Sequence, residues 1–291
     1  MDLTLFGIAI LLGIYVGVVP VYLGLFSLPL LQRLKHEWLD FLVCLTLGIM
    51  IFLFVDVTAE ALEAADKLPA ALAVPADGQA SVPPLDKLLY DTFGADSGTI
   101  LGPLFMLTGF ALGVLGLVEF GRRLDRLKEA GTAWGGLFNP AKLSPQMQLA
   151  LLVSLGIGLH NLGEGLAVGV AYGSQSFALA TVLIFGFAVH NVSEGIAIVS
   201  PISRSQVDLR TLALLGLLAG GPTIIGTLIG IYIFSNALSI VFFAIAAGAI
   251  LYVIIEITTS LGDRFRNSHL NYLGVMAGFT VMYLTSLLVL L

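Results

Sequence analysis

The stretch LHNLGEGLAVGVAYG spans Leu159–Gly173, and VHNVSEGIAIVSPIS follows at Val189–Ser203. Each sets His-Asn-x-x-Glu-Gly inside a long apolar run, where lipid would ordinarily exclude such residues. Composition says what those runs are. The 291-residue chain is 58% hydrophobic and only 11% charged, with mean hydropathy +1.00, whereas a soluble domain carries roughly 25% charged residues. Apolar runs of about 20 residues, enough for a helix to cross the hydrocarbon, recur along the whole length. They predict eight transmembrane helices, at about 3–30, 39–61, 98–120, 147–172, 176–200, 209–234, 238–261 and 270–291. The runs lack the alternation of membrane-barrel strands, which leaves α-helices as the way to satisfy backbone groups in lipid. The expected fold is an all-α membrane protein with one transmembrane domain over residues 1–291.

The basic residues orient it. Arg33 and Lys35 follow the first helix; Arg122, Arg123, Arg126, Lys128 and Lys142 follow the third; Arg204 and Arg210 the fifth; Arg264 and Arg266 the seventh. That places 11 of 13 on one side and only Lys67 and Lys87 on the other. The positive-inside rule puts the rich side in the cytoplasm and both termini outside. Met1-Asp2-Leu3 carries no basic n-region, so the first helix is expected to remain in place. The single cysteine, Cys44, excludes an intrachain disulfide.

Between the helices, residues 63–97 are rich in Ala, Pro and Asp and read as a flexible external loop, or as a short surface-packed helix around 61–72. GRRLDRLKEAG after the third span could prolong that helix into the cytoplasm. A second echo accompanies the opening pair. Gly48-Ile49-Met50-Ile51 leads to Asp56, and Gly248-Ala249-Ile250-Leu251 leads to Glu256 at the same spacing. Their helices run in opposite directions, which suggests an inverted repeat of the kind transporters use.

Residues four apart share a helix face, so His160 points with Glu164, and His190 with Glu194. Asn161 and Asn191 stand about 100° further round, within reach of a neighbouring ion. Ionisable groups at membrane depth cost about 2.5–3.5 kcal/mol each, and no Lys or Arg is placed to pair with them. Four such groups call for a cation; imidazole with carboxylate suits zinc and its neighbours, carboxylate with carbonyl suits manganese. Imidazole titrates near neutral pH, so protons compete for both histidines. Gly163, Gly165 and Gly169 read as packing positions. Asp56 and Glu60 form a cation entrance or an interfacial carboxylate pair, and Glu256 an accessory position in the pathway. Glu119 pairs with Arg122 and Arg123. His36 and His269 carry no assigned role.

The doubled His-Asn-x-x-Glu-Gly motif, eight helices and outside termini resemble the ZIP (Zrt/Irt-like) family of divalent-metal transporters, prokaryotic type. AAGAILYVIIE and LGIMIFLFVD are similar to that family's seventh and second helices. The resemblance implies transport of zinc, with iron, manganese or cadmium as alternatives, into the cytoplasm. It implies a binuclear centre between helices four and five, a 3+2+3 arrangement with helices 1–3 and 6–8 as inverted repeats, and a homodimer. An elevator-like movement of helices one, four, five and six is the transport model it suggests. Three departures stand out. The family's proline before the motif glutamate is Gly163 in one copy and Ser193 in the other. Gly221, before Pro222, replaces a glutamate that would serve a second ion, and segment 121–146 has no histidine.

The expectation is therefore a divalent-cation transporter, not an enzyme, in a prokaryotic cytoplasmic (inner) membrane. Its metal site is His160, Asn161, Glu164, His190, Asn191 and Glu194, with Asp56 and Glu256 along the pathway. Zn2+ or another divalent transition metal is the substrate. No organic cofactor and no nucleic-acid partner are expected; the lipid bilayer is. Two rivals are an intramembrane metal-dependent hydrolase, which zincin spacing on one helix would favour, and a non-transporting metal sensor.

Overall fold

The computed structural model describes residues 3–35, 38–72, 83–130, 143–233, 235–266 and 268–290. Eight helices are long and apolar enough to cross a membrane: α1 (Leu3–Leu31), α2 (Leu39–Leu72), α3 (Gly98–Glu129), α4 (Pro145–Gly173), α5 (Phe177–Val199), α6 (Leu209–Tyr232), α7 (Asn236–Leu261) and α8 (His269–Leu287). No strand occurs among the described residues. His36 and residues 131–142, part of the segment before α4, lie outside the described residues.

Of the two readings of residues 63–97, the helix around 61–72 is the one present, as a prolongation of α2 rather than a separate piece, and residues 73–82 lie outside the described residues. α2 continues to Leu72 because its apolar pattern stays helical past the membrane: Ala61, Ala65, Leu68 and Leu72 are all buried. Ala65, Leu68 and Leu72 join Ala237 and Ile240 of α7 in a small core of their own. Pro69 inside the helix withholds one N–H and leaves the Ala65 carbonyl free; Gly98 and Gly102 let α3 press against that place. At 34 residues, α2 measures about 51 Å at 1.5 Å per residue, well beyond a hydrocarbon core of about 30 Å. A short helix, Pro84–Phe93, follows. Its fully buried Asp86 accepts hydrogen bonds from Ser235 Oγ (2.6 Å), Asn236 N (2.9 Å) and Ala237 N (3.3 Å), capping α7 from outside. α3 likewise prolongs to Glu129, and Glu119 meets both Arg123 and Arg126 there. Ahead of α6, Asp208 accepts the Thr211 N–H, and the Thr211 hydroxyl together with that N–H holds its carboxyl below the usual carboxylate range.

Glycines set which helices touch. A Cβ at Gly48 would strike the Val275 carbonyl of α8, and one at Gly248 would strike the Phe110 carbonyl of α3. Their partners answer in kind, Gly278 against Leu45 of α2 and Gly113 against Ile245 of α7. α2 thus lies on α8 as α7 lies on α3, each by a glycine-to-backbone contact that brings the helix axes close. Around the motif helices, α4 lies along α6 and α5 along α1.

Prolines interrupt α1 and α6 at comparable places. α1 widens into a π-helical turn at Ile14–Val18, just before Pro20, and α6 breaks at Gly221–Pro222. Gly17 and Gly220 pack against one another there. α5 ends before Pro201, which withholds the N–H that the Ala197 carbonyl would receive in a continuing helix. The Thr46 hydroxyl of α2 faces that carbonyl at 3.1 Å and its own helix's Leu42 carbonyl at 3.2 Å. Thr46→Val keeps the shape and removes the hydrogen. It should cost about 1–3 kcal/mol by stranding a buried carbonyl, read as a lower melting midpoint of the detergent-solubilised protein; an unchanged midpoint would mean the bond contributes nothing.

Candidate metal centre

The two motif copies lie on α4 and α5, which run unbroken through them. With Gly163 and Ser193 where a proline would kink the chain, neither helix loses its hydrogen-bond ladder at the motif. Gly163 has its own use: a Cβ there would overlap the Phe243 ring of α7, so its absence seats that ring against α4. Ser193 donates its hydroxyl to the His190 carbonyl at 2.6 Å.

The side chains predicted together do meet. Of His160, Asn161, Glu164, His190, Asn191 and Glu194, none is more than 5% exposed. His160 Nε2 lies 3.5 Å from Glu164 Oε1 and 3.7 Å from Glu194 Oε1. His190 Nε2 lies 4.0 Å and 3.8 Å from the same two oxygens. These separations exceed ordinary hydrogen bonds, and among the described residues none of the four atoms has a hydrogen-bond partner. Ligands at zinc distances of about 2.0–2.2 Å in a tetrahedron stand about 3.4 Å apart, so four donors face a centre only slightly wider than that. His160, His190 and Glu194 bring donor atoms within 4.8 Å of one another. Among the described residues, Glu164 and Glu194 have ion-pair contacts only with these histidines. A divalent cation would neutralise the pair of carboxylates.

The asparagines do something the spacing did not reveal. Each donates across to the other helix: Asn161 Nδ2 to Glu194 Oε2 at 3.0 Å, Asn191 Nδ2 to Glu164 Oε2 at 2.9 Å. Each also donates to a backbone carbonyl of a third helix, Ala219 of α6 at 3.2 Å and Val16 of α1 at 2.9 Å. Their amide oxygens are buried, without a partner among the described residues.

The last motif glycine explains how the helices come close enough. A Cβ at Gly165 would lie 2.2 Å from the Thr223 carbonyl of α6, and one at Gly195 would lie 2.2 Å from the Val21 carbonyl of α1. Glycine after glutamate therefore lets α4 and α5 each rest on a broken helix.

A cavity of about 210 Å³ reaches the cluster, lined by His160, Glu164, His190, Asp56, Glu60 and the Phe243 ring, among others. A wider one of about 500 Å³ continues from it, sharing Glu60, Ala167, Leu183 and Phe243, and ends among Lys67, Ser174 and Asn236. Lys67 is bound to Glu63 at its mouth. Asp56 and Glu60 thus stand along one passage with the cluster. Glu256 does not join it. It lies two turns beyond Gly248 on the face that packs against α3, beside Tyr252, whose hydroxyl approaches Gly121. His269 starts α8, away from the cluster. Towards the other membrane face the same helices close through fully buried Met50, Val153, Ile157, Ile198 and Ile250.

Gly165→Leu and Gly195→Leu should each cost about 1–3 kcal/mol through forced helix separation. Gly116→Leu, which meets open space, should stay within about 0.5 kcal/mol. Equilibrium unfolding in mixed micelles compares them; equal losses at all three positions would refute the close-contact account.

A family model described as ZIP Zinc transporter matches residues 138–286, more than half of the chain and inclusive of both motif copies. Comparison with curated proteins finds none that matches.

Proposed function

The chain belongs to the ZIP zinc transporter family, and on that premise we propose that it carries zinc into the cytoplasm through the centre between α4 and α5. The family's members are transporters of divalent metal ions rather than enzymes, and the buried histidine–glutamate group fits a metal site. The observation that carries the reading is the ring of four unpartnered donors, two nitrogens and two oxygens, at the end of an acid-lined passage. Mixed imidazole and carboxylate favours zinc over the harder ions, with iron, manganese and cadmium as competitors.

In this proposal a hydrated ion enters past Glu60 and Asp56 and exchanges its water for His160, Glu164, His190 and Glu194. By the positive-inside rule the open passage faces away from the cytoplasm, and the apolar closure beyond the cluster is the barrier that must part for release. The matching glycine contacts of α2 on α8 and α7 on α3 support an inverted repeat of helices 1–3 and 6–8 around α4 and α5. In such a repeat Glu256 is the counterpart of Asp56, an accessory carboxylate for the cytoplasmic side. The moving body would be α1, α4, α5 and α6, in a homodimer with outside termini in a prokaryotic inner membrane.

Zn2+ flux into proteoliposomes tests this. His160→Ala with Glu164→Ala should bring flux to the protein-free background, and undiminished flux would sink the site assignment. Asp56→Asn should slow uptake while zinc affinity at equilibrium stays near wild type. Adding unlabelled Cd2+, Fe2+ or Mn2+ in turn should inhibit in the order of their preference for nitrogen donors, with Mn2+ weakest. Mn2+ as the strongest inhibitor would exclude zinc as the preferred substrate.

A further inference from the structure

We propose that Asn161 and Asn191 are positioning residues that hold the two glutamates and wire them to α6 and α1, instead of serving as ligands of the transported ion. The inference rests on reading the cluster as the transport site. It begins with which way each amide faces. A backbone carbonyl can only accept a hydrogen bond, so the atom of Asn191 lying 2.9 Å from Val16 O must be its nitrogen. The same holds for Asn161 against Ala219 O at 3.2 Å. An amide nitrogen carries two hydrogens and no free lone pair for a metal. The second hydrogen of each goes to the outer oxygen of the glutamate on the opposite helix, at 2.9 and 3.0 Å.

Each glutamate is thus divided. Its outer oxygen is held by an amide from the other motif helix, and its inner oxygen is left facing both imidazoles without a partner. A carboxylate fixed this way can turn neither its inner oxygen from the centre nor its outer oxygen into it. The arrangement is reciprocal, so α4 orients the ligand of α5 and the reverse.

The anchoring carbonyls come from the sequence's own irregularities. Val16 precedes Pro20 by four, and proline has no N–H to give it; the helix is π-wound there. Ala219 stands at the end of the first half of α6, where Gly221–Pro222 interrupts the helix. α1 and α6 offer no side chain to the four-donor ring, yet through Asn191 and Asn161 they set the angle of both carboxylates. Asn161 Oδ1 and Asn191 Oδ1, buried without partners, are the atoms a direct ligand role would use, and substitution by aspartate separates the two roles.

The experiment is calorimetric Zn2+ titration of the full chain in lipid nanodiscs, comparing wild type, Asn161→Asp, Asn191→Asp, Pro20→Ala and His160→Ala. Size-exclusion elution and helical circular dichroism report folding. In the positioning role, aspartate has no hydrogen to donate and sets a third carboxylate against Glu194 or Glu164. The Kd should rise about 10- to 100-fold, the usual effect of losing an outer partner of a metal ligand. As a ligand, aspartate is a better oxygen donor than the amide, and affinity equal to or above wild type would overturn the proposal. Pro20→Ala supplies an N–H that competes for Val16 O without altering any side chain of the cluster. It should weaken binding several-fold, and wild-type affinity would overturn the tie to α1 even if the aspartate variants fail to fold. If His160→Ala binds zinc as wild type does, the site reading itself fails, an outcome distinct from normal binding by Asn161→Asp alone.

Discussion

Two carboxylates and two imidazoles buried at membrane depth, with no Lys or Arg partner among the described residues, are the constraint around which this molecule is organised. Removing such groups from water is costly, and packing alone cannot offset it. The outer oxygens are satisfied by amides, and the inner ones face two imidazole nitrogens across a gap that a cation fits. Glu164 and Glu194 are thereby half solved by the protein and half left for a ligand. That division leaves donors open to an ion, since donors fully satisfied by protein would bind none.

The second organising feature is the pairing of prolines with polar side chains from other helices. In lipid a carbonyl deprived of its N–H finds no water, so Pro20 and Pro201 create acceptors that must be met from elsewhere. Asn191 meets the one at Val16 and Thr46 the one at Ala197. Glycines complement this by letting backbones approach: Gly165 at Thr223, Gly195 at Val21, Gly48 at Val275 and Gly248 at Phe110. Helix breaks and close approaches are therefore joined, and the broken helices α1 and α6 are the ones the motif helices lean on.

Much of this was legible in order along the chain. The eight apolar runs follow from hydropathy, and the shared faces of His160 with Glu164 and of His190 with Glu194 follow from helix periodicity. Pro69 and the Ala-rich composition leave 61–72 open between loop and helix, while the helical spacing of Ala61, Ala65, Leu68 and Leu72 carries the extension of α2. Asp56 was weighed equally against an interfacial role, and the passage it shares with His160 came only with the packed helices. Glu256 stands outside that passage, beside Tyr252, and its place came only with the packed helices.

What the amino-acid order determined by itself is local: which segments are helices, which residues share a face, where a proline must free a carbonyl. Periodicity and covalent geometry act over a few residues, so no packing is needed to predict them. Which group each freed carbonyl or carboxylate meets was decided only in three dimensions. Asn161 and Glu194 are 33 residues apart, and Asn191 and Val16 are 175 apart. Nothing in helical spacing tells an amide that would coordinate an ion from one that turns its nitrogen to a neighbouring helix. That choice belongs to packing, because the acceptor that fixes the amide's orientation lies on another helix.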